Sequence, residues 1–151
     1  MRKILYVGFK GKNNSSYQLV EKICGDKLFL TNSFDGLKRD IENISFDYDV
    51  IYMFGLDRNL KDTVRIEKCA EMNNVVVNTQ EDLPDFVKLF TKHNIKFSIS
   101  EKPTHYLCNS AYYHMMNKIK CKAVFFHIPP LRKFSDDLMQ KLLNVFAGQI
   151  N

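Results

Sequence analysis

The sequence predicts an α/β domain of three layers, with helices on both faces of a central, twisted, mostly parallel sheet. Three observations carry that prediction. Short apolar runs such as residues 3–8 and 48–55, each closed by a glycine, have the unbroken hydrophobicity of strands buried on both faces. They alternate with segments whose apolar residues recur at helical spacing, such as 83–93 with Leu83, Phe86, Val87 and Phe90. At 151 residues, 45% hydrophobic and 26% charged, the chain has the composition of one globular domain spanning 1–151, large enough to build a core without staples.

Taken in order, residues 3–8 form a first strand, and the Gly- and Asn-rich residues 8–14 a loop. Ser15 or Ser16 caps a helix running to about Cys24, with Tyr17, Val20 and Cys24 on one face and Leu19 and Ile23 widening the stripe. Gly25-Asp26 stops it, and residues 27–31 are a short strand. Residues 34–44 read as a helix on Leu37, Ile41 and Ile44, and 48–55 as a strongly buried strand. Residues 63–70 alternate apolar and polar, which predicts one continuous strand with one face inward. Asn73-Asn74 is a turn before a short strand, 75–77. The helix 83–93, with Asp82 as its cap, ends at Asn94 and leads to a strand over 95–100. A helix over 107–119, a strand over 123–127 ending in a histidine, a Pro-Pro turn and a helix from Ser135 complete the chain. Asp136 and Asp137 in the first turn of that last helix complement its dipole.

Composition also narrows the function classes. No apolar run reaches the ~18 residues of a membrane span, and the N-terminal apolar stretch is too short for a signal peptide, so a cytoplasmic protein is expected. Cys24, Cys69, Cys108 and Cys121 form no CxxC pair and have no histidines at ligand spacing, which argues against a zinc site or a disulfide framework. The charge of +5 suggests nucleic acid only at first sight. The lysines are spread along the chain, densest at Lys118, Lys120 and Lys122, with no recognition motif beside them, so no nucleic-acid partner is expected.

Chemistry concentrates in Thr104-His105-Tyr106-Leu107-Cys108-Asn109-Ser110 and in Phe126-His127-Ile128-Pro129. The first places a thiol in the opening turn of a helix, where the dipole lowers a thiol pKa, and a neighbouring imidazole lowers it further. The second places an imidazole at the C-terminal end of a strand, where open α/β sheets build their sites. Glu67 is the acid of the alternating segment. Together they are the parts of a nucleophile, a base and a carboxylate that orients the base. Each also has a plainer reading: Cys108 in a stripe with Tyr112, Met115 and Ile119, His127 at a sheet rim, and Glu67 on a solvent-facing strand position.

The arrangement resembles pyroglutamyl peptidase I (pyrrolidone-carboxylate peptidase), a family of cysteine peptidases. Residues 3–9 resemble its opening strand and Gly-Phe, 55–70 its glutamate block, and 83–100 its Leu-Pro helix and following strand. Tyr106-Leu107-Cys108-Asn109 and His127-Ile128-Pro129 resemble its Tyr-Val-Cys-Asn and Ile-His-Val-Pro motifs. The resemblance implies the pyroglutamyl peptidase-like, phosphorylase/hydrolase-like fold and removal of N-terminal pyroglutamate from peptides. It implies Cys108 as nucleophile, His127 as general base and acid, and Glu67 as the residue orienting His127. It further implies a pocket drawing on Phe9 and Tyr106, no metal or organic cofactor, a peptide or small amide substrate, and assembly as a dimer or tetramer. The sequence departs from the family where the substrate ring is held. Gly8-Phe9 continues as Lys10-Gly11-Lys12, without the family's proline and second phenylalanine, and the connection over 71–82 is short. A relative that binds a small ligand or a protein partner without hydrolysis is the alternative these departures allow.

Overall fold

The computed structural model describes residues 1–45, 47–119 and 121–149; Lys120 of the basic cluster lies outside them. The chain runs through β1 (Ile4–Phe9), α1 (Ser15–Lys22), β2 (Asp26–Leu30), α2 (Phe34–Glu42) and β3 (Val50–Leu56). It continues through β4 (Val64–Glu67), β5 (Cys69–Met72), β6 (Val75–Asn78), α3 (Leu83–Lys92) and β7 (Phe97–Ser100). It ends with α4 (Tyr106–Lys118), β8 (Lys122–Ile128), a 3-10 turn at Leu131–Lys133 and α5 (Asp136–Ala147). Among the described residues no helix is long and apolar enough to cross a membrane.

Six strands form the main sheet in the order β2-β1-β3-β8-β4-β7. β2, β1, β3 and β8 are mutually parallel, β4 runs antiparallel to β8, and β7 runs parallel to β4. The mostly parallel sheet predicted from the sequence is present, with a reversed pair at one edge. Strand period two sends Tyr6, Tyr52, Phe54 and Phe126 to one face, where they pack with Val20, Phe86, Phe90, Leu142 and Phe146 of α1, α3 and α5. Leu5, Val7, Ile51, Met53 and Phe125 face the other side, under Leu37 and Ile41 of α2 and Ala111 and Met115 of α4. Helices cover both faces, as three layers require.

Several local features differ from the sequence reading. Asn14, not Ser15 or Ser16, caps α1, its Oδ1 accepting from the Ser16 N–H at 2.9 Å. Ser16 is committed elsewhere: its Oγ accepts the Phe9 N–H at 3.1 Å. The expected strand over 63–70 is two strands in two sheets. Lys68 between them donates its N–H to Ser100 O and accepts from the Thr79 N–H, so its backbone serves the main sheet and the β5–β6 ribbon at once. Hydrophobic alternation continues through the break and carries no sign of the change of partner. β8 extends one residue past His127, to Ile128. Asn73 and Asn74 take φ of 51° and 64°, the paired left-handed conformation that a two-residue hairpin needs.

Candidate active site

Three strand ends and one helix start meet at a corner of the sheet. β3 and β8 are in register with Gly55 opposite His127, and β4 returns antiparallel with Arg65 opposite His127 and Glu67 opposite Phe125. Alternation puts Arg65 and Glu67 on one face of β4, and Phe125 and His127 on the matching face of β8. α4 covers that face, touching α2, β5, β6 and β8. Its first turn is tied down by Asn109, whose side chain donates to Glu71 O at 2.7 Å and accepts the Glu71 N–H at 3.0 Å. Tyr112, a turn further on, donates its hydroxyl to Glu67 O at 2.9 Å. The Cys108 thiol then lies directly over Gly55: a Cβ added there would sit 2.7 Å from Sγ and 2.6 Å from Phe125 Cζ. The glycine that closes the apolar run is the space the sulfur fills.

Glu67 and His127 are both buried, at 0% and 3% exposure. Glu67 Oε1 and His127 Nδ1 are 2.7 Å apart. The same Oε1 accepts from Arg65 Nε at 2.7 Å, so it is an acceptor on both sides and Nδ1 carries the proton. In the neutral ring that tautomer leaves the lone pair on Nε2. Arg65 Nη2 lies 3.3 Å from Nδ1 and Nη1 2.8 Å from Asp57 Oδ2. Burial raises the Asp57 pKa, but the Asn59 N–H and Arg65 outweigh it and the net shift is downward, keeping that carboxylate charged.

The thiol itself is not activated at rest. Burial pushes Cys108 up to about 12, Glu67 and Asp57 push in the same direction, and Arg65 opposes them. The local expectation, a thiol lowered by the helix start and an imidazole, is therefore corrected by desolvation and two carboxylates that the fold brings in from β4 and from the loop after β3.

Cys108 and His127 line one cleft of about 610 Å³ with Leu56, Asp57, Arg58, Asn59 and residues 104–107. The Nδ1–H of His127 donates to Glu67, with Arg65 Nη2 beside it, and Cys108 lines the same cleft as His127. Tyr106 belongs to this wall; it is 83% exposed and has φ of 58°, a left-handed conformation uncommon outside glycine. Phe9 does not join the cleft lining. It is 4% exposed and packs in the core beside Val7, Leu30 and Leu37, a correction to its expected place in a pocket. Arg65, Asp57, Gly55 and Asn109 were not singled out by sequence reasoning. The one available signal was Arg65 two residues before Glu67, a spacing that puts both on one strand face. Among the described residues no cluster of three or more His, Cys, Asp or Glu side chains is arranged to hold a metal ion.

No protein-family model matches the sequence, and no curated protein matches it. The fold is nevertheless shared with solved pyrrolidone carboxyl (pyroglutamyl) peptidases. The enzyme from Thermus thermophilus superposes with a TM-score of 0.81 at 16% identity, covering 97% of this chain and 98% of that one. Pyroglutamyl peptidase I from Bacillus amyloliquefaciens gives 0.75 at 15% identity, covering 97% and 96%. The enzyme from Thermococcus litoralis gives 0.74 at 17%, covering 99% and 93%.

Proposed function

We propose that this chain is a cysteine-type peptidase that removes N-terminal pyroglutamate from peptides or small amides. Cys108 is the nucleophile, His127 the general base and acid, and Glu67 the residue that orients His127. The observation that carries the reading is the buried 2.7 Å contact between Glu67 Oε1 and His127 Nδ1, behind a cleft that also holds Cys108. It supports a neutral ring with its proton on Nδ1, which leaves Nε2 as the basic nitrogen. The shared fold and the Cys-Asn and His-Ile-Pro motifs support it.

The chemistry follows from these atoms. With burial, Glu67 and Asp57 all disfavouring the Cys108 thiolate, we take the attack to be general-base assisted. Nε2 takes the Sγ proton as sulfur bonds to the pyroglutamyl carbonyl carbon. Negative charge gathers on the carbonyl oxygen, where the backbone N–H groups of Leu107 and Cys108, in the first turn of α4 and without intrahelical acceptors, serve as donors. The C–N bond breaks, the imidazolium returns its proton to the leaving amine, and a thioester remains. Water, deprotonated by Nε2, hydrolyses the thioester and restores the thiol. Tyr106 and Leu107 supply the apolar wall for the lactam ring.

A second reading, a fold relative that binds a ligand or partner without cleaving it, draws on the burial of Phe9 away from the cleft. Release of a fluorescent amine from a pyroglutamyl-amide reporter separates the two. Turnover by the native protein and none by Cys108→Ala is expected; equal rates would sink the peptidase reading.

A further inference from the structure

We propose that Arg65 is a positioning residue of this site, a planar fork that ties the rim carboxylate Asp57 to Glu67 and so fixes the group that orients His127. The proposal rests on the reading of Cys108 and His127 as nucleophile and base. Its basis is geometric. Nη1 meets Asp57 Oδ2 at 2.8 Å, Nε meets Glu67 Oε1 at 2.7 Å, and Nη2 stands 3.3 Å from His127 Nδ1. Arg65 is also the cross-strand partner of His127 and shares the strand face of Glu67. Two nitrogens of one rigid plane therefore bind two different carboxylates while the third stands beside the imidazole, which an ammonium on a flexible stem cannot reproduce.

Glu67 needs such a partner. Its side chain is fully buried, and Oε2 has no hydrogen-bond partner among the described residues, so Oε1 alone takes both donors. With Arg65 gone, a buried carboxylate would keep only the imidazole N–H, and the carboxylate would be free to turn its bare oxygen toward the ring. A buried charge left with too few partners is strongly disfavoured. Arg65 further sets the charge around the thiol. The titratable and charged groups at this corner are Arg65 and Glu67 from β4, Cys69 and Glu71 from β5, Asp57 and Arg58 from the loop after β3, His127 from β8, and His105, Tyr106 and Tyr112 from the start and first turns of α4 itself. Glu67 and Asp57 act against the thiolate, and Arg65 acts for it.

The test compares native protein, Arg65→Met and Arg65→Lys by three measurements: iodoacetamide alkylation of Cys108 across pH, resolved from other thiols by peptide mapping; thermal melting; and hydrolysis of the pyroglutamyl-amide reporter. Exposed Cys24 is the internal control. In Arg65→Met the Cys108 alkylation profile should move up by about one pH unit, which is about tenfold in rate at fixed pH, while Cys24 is unchanged. On the reporter kcat should fall with KM little altered. Arg65→Lys, which keeps the charge and loses the fork, should restore the alkylation profile but not kcat. An unchanged Cys108 profile in Arg65→Met with only a lower Tm would make Arg65 a structural residue and overturn the proposal. So would an Arg65→Lys protein with native kcat, which keeps the idea refutable where Arg65→Met does not fold. Should the native protein leave the reporter intact, the peptidase reading fails on its own, and the alkylation arm still decides the role of Arg65.

Discussion

Gly55→Ala places one methyl group where the Cys108 sulfur now sits. The new Cβ would lie 2.7 Å from Sγ and 2.6 Å from Phe125 Cζ, where about 3.5–4.0 Å is the comfortable separation for such atoms. Roughly 1 Å of movement is therefore demanded on each side, and neither neighbour is loose. Phe125 is fully buried, with its ring 4.8 Å from the His127 ring, and Cys108 is anchored through the Asn109–Glu71 pair. Overpacking of this kind destabilises by about 1–3 kcal/mol. With a urea m-value of about 2 kcal/mol/M, a 2 kcal/mol loss moves the midpoint down by about 1 M. The sulfur is displaced from its resting position, and a misplacement of ~1 Å lowers turnover on the order of a hundredfold. Urea titration with the reporter assay measures both. In a Cys108→Ala background the sulfur clash is gone and the Phe125 clash remains, so the cost of Gly55→Ala should shrink, giving a coupling of about 0.5 kcal/mol or more. A stable, fully active Gly55→Ala protein, or strict additivity with Cys108→Ala, would refute the placement of the thiol over β3.

Two further substitutions separate charge, strain and chemistry. Glu67→Gln keeps the shape beneath His127 but removes a carboxylate that holds the thiol up, so Cys108 should alkylate faster at fixed pH while reporter turnover falls by about 10²–10⁴ for want of the fixed tautomer. Tyr106→Gly relieves a left-handed backbone at a residue that buries little, which should raise Tm by about 2–4 °C while reducing reporter hydrolysis.

Much of the fold can be read from local pattern, because buried parallel strands and amphipathic helices write their burial directly into period and run length. The corner around Cys108 is legible to the same extent: a thiol at a helix start, an imidazole at a strand end and an acid in a strand. What pattern does not contain is which strand lies beside which. Glu67 reads equally as a solvent-facing acid until β4 is seen wedged between β8 and β7 under α4. Arg65 reads as ordinary strand polarity until the antiparallel register sets it opposite His127. The thiol shows the same lesson in its energetics. Its near neighbours in sequence favour the thiolate, and burial together with Glu67 and Asp57, brought in across the fold, reverses that. Lys68 and Phe9 fail for a related reason. A backbone that changes partners between two sheets, and a phenylalanine at a strand end that turns inward, leave no mark in hydrophobic alternation.

The central claim, that Cys108 is the acyl-accepting atom and His127 its base, is tested most directly by covalent capture. A pyroglutamyl chloromethyl ketone incubated with the native protein, followed by intact-mass measurement and peptide mapping, should yield one adduct on the Cys108 peptide. That adduct should be absent from Cys108→Ala and strongly slowed in His127→Ala. Label on Cys24, Cys69 or Cys121 in place of Cys108, or equal labelling of Cys108 with and without His127, would contradict it.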